Sequence, residues 1–446
     1  MLELVMLEGI LFHLYNFLVL PFYNQGYMTV ILLVLPMVVF FELPWNLFIF
    51  LGLFKYVLRR KQEGSRIDFF PSVSCIVTCY NEGREIEKTV LSLLEQLYPG
   101  KLQILLVIDG AYINKSTLKV AEELQKLAVQ YNNRTISVIP KWQRGGVVSS
   151  SNLGLNFVTG EIVVKVDGDS SFDNNMLERV TRHFVDPEVV AVSGCLRVRN
   201  AADTFCAGFQ AIEYFNSIQL SKTALSEFNM VNNISGAFGI FRRSLLNLVE
   251  GWDAGTAEDL DITLRIKNYF NNRKEKFRIV FDPEAICFTD VPETYAKFFK
   301  QRLRWEGDYP YIIGKHWRSI APSMMGWANF NGLLVTMFTN IVLPMMVFVY
   351  TFWLFIVFPA DYAIALLMAV YSFYFVMTCL LYLLGIIFVS ERKKEDFSRF
   401  GLVPFMPMFL FAAKINTLLA VFWEWIGKGH QDSSMAPWWV LRKNKF

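Results

Sequence analysis

The residues best placed to do chemistry are acidic, and they fall in two short clusters. Asp167-Gly168-Asp169 sets two carboxylates either side of one glycine, directly after the run Ile162-Val-Val-Lys-Val166. Such a pair can share a hard divalent cation, magnesium or manganese, that bridges to the phosphates of a bound nucleotide. The second cluster, Glu258-Asp259, lies within Gly251-Trp-Asp-Ala-Gly-Thr-Ala-Glu-Asp-Leu-Asp261. A carboxylate there can take the proton from an attacking hydroxyl. It can equally cap the helix that the spacing from Leu260 to Tyr269 predicts, since acidic groups sit well against a helix N-terminus. A third group, Gln301-Arg-Leu-Arg304-Trp305, brings Gln301, Arg304 and Trp305 to one helical face at i, i+3 and i+4. That face offers an amide, a guanidinium fork suited to a diphosphate and a flat indole. The plainer reading is an amphipathic interfacial helix, to which Tyr295, Phe298 and Phe299 would also belong.

These groups need a scaffold, and the middle of the chain supplies the signs of one. Val73-Ser-Cys-Ile-Val-Thr78, Gln103-Ile-Leu-Leu-Val-Ile108 and Glu161-Ile-Val-Val-Lys-Val166 are short β-branched runs. Helical stretches from Glu85 to Gln96 and from Lys115 to Tyr131 separate them. Alternation of this kind predicts an α/β domain with a mostly parallel sheet flanked by helices. Ligands of such sheets bind beyond the carboxyl ends of the strands. All three runs end there in polar clusters: Cys79-Tyr-Asn-Glu82, Asp109-Gly110 and Asp167-Gly-Asp169.

Apolar sequence concentrates at the two ends. Of 446 residues 54% are hydrophobic and 16% aromatic, more than a soluble domain carries. The net charge of +3 gives no reason to expect a nucleic acid partner. Tyr27 to Leu58 is long enough to span a bilayer and stops at Arg59-Arg-Lys61. Leu2 to Phe22 carries Glu3, Glu8 and His13, and reads as a first span or an interfacial helix rather than a cleavable signal. Asn329 to Phe358 and Tyr362 to Val389 each exceed a crossing, and the basic Glu391-Arg-Lys-Lys394 follows. Phe400 to Ile426, broken by Pro404, Pro407 and Lys414, reads as a full span or a re-entrant segment. The expected organisation is a membrane region over 1–64, an α/β domain over 65–317 and a second membrane region over 318–446. Both basic clusters place the middle domain in the cytoplasm by the positive-inside rule. The six cysteines follow no zinc or disulfide spacing, so reduced thiols are expected.

With these motifs in hand, the chain resembles the processive family 2 glycosyltransferases, the cellulose, chitin, hyaluronan and poly-N-acetylglucosamine synthases. The carriers are Asp109-Gly110, Asp167-Gly-Asp169, Ser235-Gly236 with Phe241-Arg-Arg243, Glu258-Asp259, Val291-Pro-Glu-Thr294 and Gln301-x-x-Arg304-Trp305. The resemblance implies a GT-A-type nucleotide-sugar transferase domain inserted between N- and C-terminal transmembrane helices of an inner-membrane protein. It implies that Thr78, Tyr80, Glu82 and Asp109 hold the uridine of a UDP-sugar. Asp167 and Asp169 would serve phosphate and Mg2+ or Mn2+, with Asp259 the base and Glu258 beside it. Ser235, Gly236, Gln301, Arg304 and Trp305 would frame the acceptor and diphosphate. The partners implied are the donor, a growing polysaccharide, the bilayer and accessory synthase subunits. A non-processive transferase acting on a lipid carrier and a catalytically inactive membrane scaffold are the alternatives. Two positions depart from the family: Ala257 stands where threonine is common, and Val147 where a lysine often follows a Gly-rich turn. Arg144, at the start of that turn, supplies a charge. The terminal Pro437-Trp-Trp-Val-Leu-Arg442 resembles a Trp/Arg segment of some relatives.

Overall fold

The β-branched runs do become strands: β1 (Val73–Cys79), β2 (Leu102–Asp109) and β4 (Ile162–Asp167) pair in parallel. This computed structural model describes residues 38–62 and 68–431, together with Gly9, Phe12, His13 and Asn16. The remainder of the Leu2–Phe22 stretch, and Pro437–Arg442, lie outside the described residues. Five further strands complete one sheet: β3 (Arg134–Lys141), β5 (Ser171–Phe172), β6 (Val189–Val198), β7 (Phe238–Arg242) and β8 (Arg278–Thr289). The order is β3-β2-β1-β4-β7-β6-β8-β5. It is a mixed sheet, because β7 runs antiparallel between β4 and β6, and β5 antiparallel to β8. The parallel character expected from sequence holds for β3-β2-β1-β4 and for the β6–β8 pair.

Leaving the shorter helices unlabelled, α1 is Leu43–Gln62, α2 Ile86–Leu94, α3 Lys115–Leu127, α4 Gly146–Leu155, α5 Phe205–Tyr214, α6 Glu258–Arg273 and α7 Tyr295–His316. After these come α8 (Trp327–Met337), α9 (Leu343–Val357), α10 (Ala360–Phe388) and α11 (Met406–Gly427). Helices cover both faces of the sheet and seal two apolar layers. One holds Ile104, Leu106, Val164 and Ile240; the other holds Ile76, Leu105, Val163 and Trp252. All six cysteines are free.

Among the described residues four helical stretches are long and apolar enough to cross a membrane: Phe40–Lys61, Trp327–Val357, Ala360–Phe388 and Phe400–Gly427. The domain is fastened to the first at the basic cluster that closes it. Arg59 pairs with Glu227 at 2.8 Å, and Arg60 and Arg179 share Glu284. The second basic cluster is fastened likewise, through Arg392 to Asp173 at 2.9 Å. The two clusters thus lie on the same side, the side of the catalytic domain.

The fourth stretch packs against α7 as well as against α9 and α10. Phe409 meets Phe298 at a tilt, Asn416 donates to the Phe299 carbonyl, and His430, just past α11, lies on the Tyr311 ring. α7 is itself bound to the domain, through Arg302 to Glu213 and His316 to Asp261.

Candidate active site

The site lies where the carboxyl ends of β1, β2 and β4 meet the N-terminus of α6. At the end of β2 the Asp109 carboxylate closes a turn: one oxygen takes Lys141 Nζ and the Gly145 N–H, the other the Gly146 N–H, each at 2.8 Å. The turn favours glycine at Gly146, whose φ of 78° lies in the left-handed region. The same turn carries Arg144, whose guanidinium lies 4.1 Å from the centroid of the Tyr80 ring at the end of β1. Asp109, Arg144 and Tyr80 are therefore brought together, with Asp109 fixing the turn. Thr78 sits one residue before the end of β1; its carbonyl accepts the Gly168 N–H at 3.1 Å.

That bond tethers the Asp167-Gly-Asp169 turn, and the single Thr89 hydroxyl proton is shared between the carbonyls of Gly168 (2.8 Å) and Ser170 (2.6 Å). Glu82 faces the same turn. Burial, with Asp169 and Asp167 nearby, pushes its carboxyl up to about 7. Burial and Asp167 likewise raise Asp169 to about 6. Acids that oppose one another's ionisation make a natural place for a cation. One Glu82 oxygen is buried with no hydrogen-bond partner, and the donor set is all hard oxygen, which fits Mg2+ or Mn2+. Among the described residues no group of three or more His, Cys, Asp or Glu side chains encloses a metal. An ion held by Asp167 and Asp169 would complete its shell with diphosphate oxygens and water, as magnesium commonly does.

The acceptor side begins at α6. Asp259 is held by two donors, Asn233 Nδ2 on Oδ2 at 3.0 Å and the Leu260 N–H on Oδ1 at 2.7 Å. Behind Asn233, Lys222 Nζ donates to its carbonyl at 3.0 Å. Glu258 is buried against Lys165 (3.3 Å) and Gly236; a Cβ on Gly236 would come within 2.9 Å of Glu258 Oε1. Burial, with Asp259 and Asp167 adding to it and Lys165 opposing, raises the Glu258 carboxyl to about 7. Ser235 is buried, and its N–H donates to Ser193 Oγ at 3.2 Å. Ala257 is fully buried in an apolar cluster with Leu260, Leu264 and Ile312, which suits a methyl group there.

α7 joins this site through Asp308, whose Oδ1 accepts from Thr256 Oγ1 at 2.6 Å. Burial, with Asp259 and Glu258 close by, drives the Asp308 carboxyl well above the usual range, against the opposing pull of Thr256 and Arg304. Gln301 and Trp305 lie on the same helix as Arg304. Gln301 Oε1 is buried without a hydrogen-bond partner, and Trp305 is half-buried against the core. Sequence reading passed over Arg302, whose guanidinium sits 4.8 Å above the Trp305 ring while pairing with Glu213 at 2.8 Å. It also passed over Lys165, Asn233 and Asp308. Lys165 alone left a trace, as a charge inside an otherwise apolar strand.

A mixed sheet flanked by helices, with carboxylates gathered at the carboxyl ends of its strands and two more at the N-terminus of α6, has the fold of a GT-A-like glycosyltransferase. A family model described as "Glycosyltransferase like family 2" matches residues 71–307, more than half of the chain, and the protein belongs to that family. Among curated relatives, the poly-beta-1,6-N-acetyl-D-glucosamine synthase of Staphylococcus epidermidis is 27% identical over 313 residues, 69% of this chain and 68% of the relative. That of Staphylococcus aureus strain COL is 29% identical over 281 residues, 62% of this chain and 64% of the relative. The match thus spans about two thirds of these relatives' length. Among solved structures, a mannosyltransferase from Pyrobaculum calidifontis, in complex with GDP-Man and Mn2+, shares the fold. Its TM-score is 0.54 at 18% identity, over 86% of this chain and 98% of that one.

Proposed function

We propose that this glycosyltransferase is a processive, inverting polysaccharide synthase. It elongates a β-linked polymer from a UDP-sugar, UDP-N-acetylglucosamine or UDP-glucose, at the cytoplasmic face of the inner membrane and passes the product across. The observation that supports the reading is the bond between Asp308 of α7 and Thr256, just before α6, which ties the helix carrying Gln301, Arg304 and Trp305 to the segment carrying Glu258 and Asp259. The names of the staphylococcal relatives support the polymer and the N-acetylglucosamine.

In this reading Tyr80, Arg144 and Thr78 hold the uridine, on the turn that Asp109 fixes. Asp167 and Asp169 would hold the divalent cation, which when bound would offset negative charge on the diphosphate. Asp259 removes the proton from the acceptor hydroxyl while that oxygen attacks the anomeric carbon from the face opposite UDP. The bond from carbon to the diphosphate oxygen breaks, UDP departs with the electron pair, and the configuration inverts. Asn233 and the Leu260 N–H keep the Asp259 carboxylate aimed, and Glu258, engaged by Lys165, is left to position. Arg304 stabilises the departing diphosphate, Gln301 orients the acceptor, and Trp305 gives the terminal sugar an apolar face to rest on.

The test is to incubate the purified protein with a panel of UDP-sugars, with Mg2+, Mn2+ or EDTA, and to analyse product by mass spectrometry beside UDP release. Long polymer from one donor, abolished by EDTA, is expected. A single sugar on a lipid under all conditions would establish the non-processive alternative, and no UDP release with any donor would leave a scaffold.

A further inference from the structure

Lys165 lies in the middle of β4, between Val164 and Val166, with 2% of its side chain exposed. Lysine is rarely buried so fully unless its ammonium is paired. Here each of three N–H groups has an oxygen to meet: Asp167 Oδ1 at 3.3 Å, Glu258 Oε1 at 3.3 Å and the carbonyl of Gly236. Those acceptors come from three parts of the site. Asp167 belongs to the turn that receives the donor, Gly236 to the loop before β7, and Glu258 to the first turn of α6 beside Asp259. The missing side chain at Gly236 leaves the room in which they converge.

We propose that Lys165 is the positioning residue that fixes the donor turn against the base helix. Buried and fully engaged by these three oxygens, it acts through Asp167 and Glu258. With the ammonium removed, Glu258 and the Gly236 carbonyl lose the donor that ties them to Asp167, so the first turn of α6 is freed to shift and carries Asp259 with it. Misplacing a reacting group by the order of 1 Å costs about a hundredfold in rate. Binding of UDP, which depends on the far side of the donor turn, should change little.

The proposal rests on the glycosyl-transfer reading of the site. Wild-type turnover, measured beside the variants, separates a failure of that reading from a failure of this one. The variants are Lys165→Met, Glu258→Gln and the double, with kcat and KM measured on the donor the wild type uses best. UDP binding by calorimetry, with and without Mn2+, and the unfolding temperature complete the set. Lys165→Met should lower kcat about a hundredfold while leaving KM and UDP affinity within about threefold. The double variant, in which no buried charge lacks its partner, should unfold near the wild-type temperature and be no slower than the worse single. That comparison still reads the proposal if Lys165→Met alone fails to fold. Losses that multiply in the double, wild-type kcat in Lys165→Met, or a loss that falls on UDP affinity instead would each overturn it.

Discussion

Asp259 is oriented by two donors from different parts of the chain, its own helix and the loop at Asn233. Replacing it by Asn keeps the shape and removes the proton acceptor. Asp259→Asn should therefore lower kcat by about 10²–10⁴-fold with UDP affinity near wild type, measured by single-turnover kinetics and calorimetry. Loss of UDP binding with no separate effect on turnover would assign the residue to donor binding or folding. The acids of this site were legible in the sequence because each belongs to a short local pattern, a pair around a glycine or a pair before a helix. The groups that hold them were not. Asp308 is 52 residues from Thr256 and Lys165 is 93 from Glu258, and no local pattern announces a partner at such a distance.

α7 lies between the domain and α11, with Trp305 packed toward the sheet and capped by Arg302. A polymerase has to keep hold of its acceptor while UDP leaves and new donor enters, and an indole face serves that retention. Trp305→Ala should shorten the product more than it slows UDP release, seen as polymer length on a gel beside a UDP assay. Equal losses in both would give the residue a purely structural role. The helix was legible from its i, i+3, i+4 spacing, and β1, β2 and β4 from their uninterrupted apolar runs. β3 was not, because it is an edge strand with only Ile136 buried and with Pro140 near its end, a place where the sheet needs no donor. β7 was missed for another reason: the five residues from Phe238 to Arg242 form a strand only because β4 and β6 flank them.

At the scale of the molecule, the domain is bound to the candidate membrane helices by ion pairs at both basic clusters, Arg59 and Arg60 in the first and Arg392 in the second. The sequence showed these clusters as topological signals; the pairing partners Glu227, Glu284 and Asp173 emerge only from the fold. A cysteine introduced at Asp361, in the first turn of the Ala360–Phe388 stretch, should react in sealed vesicles only with reagent on the side away from the catalytic domain. Labelling from the domain side would overturn the topology. The apolar stretch ending at Gly427 has a consequence for the lipid itself. Packed against α7, α11 turns Met408, Phe411, Ile415, Leu419, Phe422 and Ile426 outward at helical spacing, each exposed. A helix of 22 residues is about 33 Å long, close to the thickness of a bilayer's hydrocarbon core, so the stripe can meet acyl chains along its whole length. A helix of fixed length in a thinner bilayer has to tilt or deform the lipid around it. Activity in reconstituted vesicles should accordingly be highest where the hydrocarbon core is near that thickness and fall in markedly thinner bilayers, and substituting Leu419 and Phe422 by Ser should weaken retention in the membrane.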